Sequence, residues 1–227
     1  PLAITLEEID MINDAYVNAN KIDHVRLMVG FNRRFSPHIT KMKELLKNQN
    51  EQKSIIITVN AGYIPKDHWV QDSSIGGGRI IGEGCHFIDL MRYLIGYSIT
   101  DFHATMIGNS GDNSIREDKV SISLTFEDGS FGTIHYLANG GTEYPKERVE
   151  VFCNNSVLKL DNYRVLKAYG YKKFKSMKLF KQDKGQKDCV KAFLDSILEG
   201  KQSPISYDEI IEASKISIEI SNSLYKS

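Results

Sequence analysis

The sequence contains no apolar run of about 18 residues or more, so no segment reads as a membrane span. Its three cysteines, Cys85, Cys153 and Cys189, lie far apart and never in a C-x-x-C spacing. That excludes a disulfide framework and a cysteine zinc site. Charge of one sign is also missing: 29 basic residues stand against 29 acidic ones. No overall field draws the chain to nucleic acid or to an anionic membrane surface. The opening PLAITLEE lacks the basic segment and long apolar stretch of a secretion signal. With reduced thiols and no such signal, the expected location is the cytoplasm. The remaining composition, 227 residues with 41% apolar and 26% charged, is enough for one large domain or for one domain plus part of another.

What is present is patterned. Thr5 and Glu8 form a T-x-x-E capping box ahead of a helix whose apolar residues are Ile9, Ile12 and Tyr16. HVRLMVGFN reads as a buried strand, and Ser36-Pro37 opens a second helix striped by Ile39, Met42, Leu45 and Leu46. Helix, strand and helix in that order suit the tail of a parallel α/β unit. The pattern then changes. VSISLTF alternates apolar and hydroxyl residues, Glu127-Asp128-Gly129 is a turn, and FGTIHYLA returns beside it. RVEVFCNNSVLKL repeats this around Asn154-Asn155, and the lysine-rich YKKFKSMKLFK reads as a surface loop or an edge strand. Two helices close the chain, the first striped by Cys189, Val190, Phe193, Leu194, Ile197 and Leu198 and ending at Gly200. Grouped antiparallel strands, with helices on one face and the other face open, predict an α+β domain.

Chemistry concentrates in GGGRIIGEGCHFIDL, residues 76–90. Three glycines let the backbone approach a neighbour closely, and a helix expected over 79–96 carries Glu83, His86 and Asp89 at i, i+3 and i+6. His86 as a general acid/base with a carboxylate beside it is one reading. E-x-x-H-x-x-D as metal ligands is another, weakened by the lack of a second histidine at ligand spacing. The plainest has His86 bonded to a neighbouring carboxylate and Asp89 paired with Arg92 or a distant cation. GFNRRF poses a similar choice, because Arg33 and Arg34 follow a strand end, where α/β folds place contacts to phosphate or carboxylate. Surface charge or an interdomain ion pair is the alternative.

PLAITLEE at 1–8, GFNRRFSP at 30–37, GGGRIIGEGCHFIDL at 76–90 and ERVEVFCNNSVLKLDNYRVL at 147–166 occur in a familiar order. In this the chain resembles the glucose–fructose oxidoreductase, inositol dehydrogenase and rhizopine-catabolism (Gfo/Idh/MocA) family. With DHW at 67–69 it looks most like the branch of large proteins in which an alcohol-dehydrogenase-like half precedes the oxidoreductase half. The resemblance implies a large, mostly antiparallel sheet like the C-terminal domain of glyceraldehyde-3-phosphate dehydrogenase, at residues 34–227. Residues 1–33 would be the remnant helix and strand of a Rossmann domain, with Pro1 following the catalytic lysine of an E-K-P motif. It further implies an NAD(P)-dependent oxidoreductase acting on a sugar, nucleotide-sugar or cyclitol hydroxyl, with NAD or NADP bound mainly by a preceding domain. A fragment starting at Pro1 would be inactive alone. His86 matches the family's histidine and Asp89 its later aspartate. The family's other aspartate falls at position 82, here glycine, with Glu83 the nearest acid. The implied site is His86 and Glu83 in catalysis, Arg33, Arg34, Trp69 and Asp89 around the substrate, and Arg33 toward the cofactor. A homo-oligomer would form through the open sheet face. The competing expectation is a non-catalytic scaffold or dimerisation module.

Overall fold

The computed structural model describes residues 1–22, 25–47, 51–72, 74–108, 116 and 118–225. The capping box forms as the sequence predicts. Thr5 Oγ1 accepts from the Glu8 amide, and the Glu8 carboxylate accepts from the Thr5 amide, opening α1 (Leu6–Asn20). Helix α1 lies on α5 (Tyr207–Ser223), with Ile9 buried among Ala3, Ile81 and Ile218 and Tyr16 stacked 3.8 Å from Tyr207.

The strand expected at HVRLMVGFN does not form over 25–31 (His24 is outside the described residues). A strand needs a partner for its amides and carbonyls, and this segment pairs with no strand among the described residues. Its polar groups are met instead by side chains and turns: the Ser203 hydroxyl donates to the Leu27 carbonyl, and the Phe31 amide to the Val29 carbonyl. A 3₁₀ turn over Asn32–Phe35 follows, then α2 (Pro37–Leu46).

Among the described residues, eight strands make one sheet: β1 Ser54–Asn60, β2 Ile99–Met106, β3 Lys119–Phe126, β4 Phe131–Leu137, β5 Glu147–Cys153, β6 Ser156–Asp161, β7 Val165–Tyr169 and β8 Ser176–Lys178. The order is β2-β3-β4-β1-β5-β6-β7-β8, antiparallel throughout except that β1 runs parallel to β4. The lysine-rich stretch supplies β8 at the edge, the strand alternative of the two expected. Alternation sorts the residues as predicted. Val120, Ile122, Leu124, Ile55, Ile57 and Val149 enter a core shared with α2, α5 and α3 (Cys85–Ile95). The opposite face is open and carries Ile56, Phe131, Phe152 and Tyr169, all exposed. This is the α+β architecture expected.

One helix departs from its pattern. α4 (Gln186–Leu198) buries Cys189 but leaves Val190, Leu194 and Leu198 in solvent, because it packs on the 3₁₀ turn along one edge only. All three cysteines are free and buried. Among the described residues no helix is long and apolar enough to cross a membrane.

Candidate active site

The glycines act through close approach. A side chain at Gly76 would lie 2.5 Å from Val70 Cα, and one at Gly77 3.0 Å from Ile4, where φ is also +68°. Only glycine fits both positions. The short turn Trp69–Gln71 and the N-terminal segment therefore close onto the head of α3. Trp69 itself projects into solvent, 62% exposed.

The helix expected over 79–96 starts instead as a π-turn, Ile80–Gly84, in which the Cys85 amide donates to the Ile80 carbonyl five residues back. Such wide turns break the 3.6 period. The stripe of Glu83, His86 and Asp89 is accordingly split among three environments.

Glu83 meets cations and a phenol. Its carboxylate accepts from Tyr136 Oη at 2.6 Å, Lys146 Nζ at 2.7 Å and Arg79 Nη2 at 3.2 Å, with Arg33 3.8 Å away. Burial opposes ionisation, but the Lys146 and Tyr136 hydrogen bonds outweigh it and hold the carboxyl at about 2. A group so acidic takes up no proton near neutral pH. Glu83 is thus an anchor for Lys146 and Tyr136 in this geometry, not a proton carrier.

His86 lies in the first turn of α3, partly exposed, with Phe31 edge-on to its ring at 5.6 Å. Its Nδ1 is buried and has no hydrogen-bond partner. Burial first, then the Arg33 charge, press its pKa down to about 3. The imidazole is neutral at physiological pH, with a lone pair to offer. Ala3 and Ile4 pack with Ile81 in one apolar cluster, and Ile4 lies against Gly77, so the N-terminal segment and the head of α3 converge.

Arg33 and Arg34, adjacent in sequence, are both buried and both spent on carboxylates. Arg33 forks onto Glu147 through Nε (2.8 Å) and Nη2 (2.9 Å), above the Phe87 ring. Lys184 joins Glu147 at 2.6 Å, and these partners hold that carboxyl ionised against its burial. Arg34 grips Asp89 with Nε at 2.8 Å and Nη2 at 2.6 Å, and meets Glu209 at 2.5 Å. Asp89 is fully buried; burial drives its carboxyl up to about 6 even against Arg34. Neither Arg34 nor Asp89 presents a face to a ligand here, and Arg33 offers no free fork to a phosphate. The distant cation among the sequence alternatives is Asp89's partner.

Sequence reasoning missed Lys146, Tyr136, Arg79 and Glu147. One signal was available: Glu147 begins the inward-facing series Glu147, Val149, Val151 of β5, and a carboxylate on a buried face needs a cation. A groove of about 410 Å³ opens beside Lys146, lined also by Asn60, Gly62, Glu143, Tyr144 and Asn162. Among the described residues no group of three His, Cys, Asp or Glu is placed to hold a metal ion.

Comparison with known proteins agrees with this architecture. The model of the GFO/IDH/MocA C-terminal domain matches residues 40–159. The uncharacterized oxidoreductase YrbE of Bacillus subtilis is 32% identical over 145 residues, 62% of this chain and 41% of that protein. The myo-inositol 2-dehydrogenase of Thermotoga maritima is 26% identical over 171 residues, 72% of this chain and 48% of that protein. The chain thus spans under half the length of either relative. An oxidoreductase domain protein from Kribbella flavida superposes with a TM-score of 0.81 at 18% identity, over 100% of this chain and 71% of that one, which shows a shared fold. Because the family model's match covers more than half of the chain, the chain belongs to the GFO/IDH/MocA C-terminal domain family.

Proposed function

We propose that the chain is the substrate-binding and oligomerising part of an NAD(P)-dependent oxidoreductase acting on a hydroxyl of a sugar, nucleotide sugar or cyclitol. The observation that carries this reading is the convergence of the N-terminal residues Ala3 and Ile4, the glycine turn and a neutral, partly exposed His86 at one end of α3. Family resemblance puts a catalytic lysine immediately before Pro1, and that lysine would then stand beside His86. The relatives' extra length would hold the nucleotide-binding domain, to which residues 1–33 would belong, with 34–227 as the substrate domain. The matching relative named for a cyclitol supports the substrate class.

The nicotinamide, when bound, supplies the hydride acceptor or donor. The residues of this chain bind and orient the substrate. His86 is too weak a base at about 3 to store a proton. Its lone pair accepts a hydrogen bond from the substrate hydroxyl and fixes that oxygen, while the lysine takes the proton. Lys146, held by Glu83 at the lip of the groove, faces the remaining hydroxyls. Trp69, exposed beside the glycine turn, would reach the substrate from that side. Arg33, Arg34 and Asp89 act behind this surface as positioning residues.

In the longer protein, His86→Ala is expected to lower turnover roughly 10²-fold with the fold intact. Turnover equal to wild type, measured with NAD or NADP and a cyclitol panel, would remove His86 from the machinery. The exposed apolar residues of the open sheet face would pack on a second copy, so light scattering should report a dimer or larger. The described chain alone should show no calorimetric binding of NAD or NADP.

A further inference from the structure

Lysines in this fold follow a rule with two exceptions. Among the described residues, the buried or partly buried Lys41, Lys119, Lys146, Lys159, Lys184 and Lys215 each sit 4.0 Å or less from a carboxylate. Lys43 and Lys53 do not. Lys53 is 6% exposed, and its ammonium reaches the Glu51 carbonyl at 3.4 Å. Lys43 donates to the Tyr93 carbonyl at 2.5 Å and the Leu94 carbonyl at 3.4 Å, in the last turn of α3.

The two exceptions share one cavity. It measures about 360 Å³ and is also lined by Lys47, Glu51, Tyr97 and Asp128. Burial first, then the charge of Lys53, bring Lys43 down to about 8. Two ammonium groups lining one cavity repel each other, and an anion between them would relieve that repulsion. The nearby acids do not supply it. Asp128 accepts from the Ser130 amide at 2.9 Å and its hydroxyl at 2.8 Å. Glu209, behind Lys43, is taken by Arg34 and Arg92. Glu51 is exposed on the rim, with neither ammonium in salt-bridge range of its carboxylate. Residues 48–50 are Asn-Gln-Asn and carry no carboxylate.

We propose that this cavity binds a phosphate-type dianion, either free or as the phosphomonoester end of a small metabolite, on Lys43, Lys53 and Lys47. Lysine suits such a ligand as a point charge that needs no fixed fork. The site lies at the opposite end of α3 from His86, so it stands or falls independently of the oxidoreductase reading.

The test is calorimetric titration of the described chain with inorganic phosphate and, in a second arm, with glycerol 3-phosphate, at ionic strength fixed by chloride. Saturable one-site binding is expected in at least one arm, and the tighter arm distinguishes the free anion from the monoester. Lys53→Met should weaken it at least tenfold, about 1.4 kcal/mol, while Lys191→Met on exposed α4 leaves it unchanged. Should Lys53→Met fail to fold, Lys43→Gln carries the same expectation, with circular dichroism as the check on structure. No saturable binding in either arm, or equal binding by the folded cavity variants, overturns the proposal.

Discussion

Arg33 and Arg34 share a peptide bond and a 3₁₀ turn, yet they serve two different ion clusters. Arg33 joins Glu147, Lys184 and Glu83, a group that reaches solvent through Lys146, whose side chain is 40% exposed. Arg34 joins Asp89 and Glu209, a group closed beneath α5 and extended to Arg92. The first cluster has spare cations and a groove beside Lys146. In the second, Asp89 depends on one guanidinium. Adjacent residues of the same type thus divide into a support behind the candidate site and a structural rivet, and redundancy of partners separates them.

The largest expected effect is at the rivet. Arg34→Met leaves Asp89 buried and unpaired and should cost roughly 3–5 kcal/mol in urea unfolding. Arg33→Met should cost less, about 1.5–3 kcal/mol, because Glu147 keeps Lys184. An Arg33 variant as damaging as the Arg34 one would break the comparison.

The clusters should also respond oppositely to acid. His86 is lowered from 6.5 to about 3 by folding, so the unfolded chain binds more protons across that window and stability falls as pH drops through it. Glu83, lowered from 4.5 to about 2, adds a loss below about 4.5. Asp89 is raised from 3.8 to about 6; its contribution is present at low pH and declines as pH rises between those values. Melting temperature against pH should therefore flatten on the acid side in His86→Asn and steepen in Asp89→Asn. Equal slopes in all three proteins would show that neither group titrates as its surroundings dictate.

The smallest effect expected is from Glu83→Gln, about 1 kcal/mol, since the amide oxygen still accepts from Tyr136. Its sharper readout is His86. Glu83 draws that pKa upward, so the variant should lower it further in an NMR titration.

Much of the fold was legible because it is local. Thr5 and Glu8 are three residues apart, and Val120, Ile122 and Leu124 alternate within one strand, so cap and face can be read without a partner. The site was less legible for the opposite reason. Position 82 is glycine and Glu83 the nearest acid, but the π-turn that sends Glu83 to Tyr136 and Lys146 follows no 3.6 period. Asp89 finds Arg34 across 55 positions, and Lys43 meets Lys53 only through the folded cavity. The missing strand at 25–31 shows the limit of apolar patterning, which proposes a strand but cannot supply its neighbour.

The place of β1 has a kinetic consequence. It is the first strand of the sheet to be synthesised, yet it sits between β4 and β5, pairing Ser54 with Phe131 on one side and with Phe152 on the other. The hairpins β3–β4 and β5–β6 can zip locally, but they meet only through a strand that has waited for both. Until then Ile55, Ile57 and Val59 have no place to hide, and both hairpins carry a bare edge. Closing loops of that length slows folding. β1 is therefore the keystone: first made, late set, and the segment a chaperone would be expected to hold.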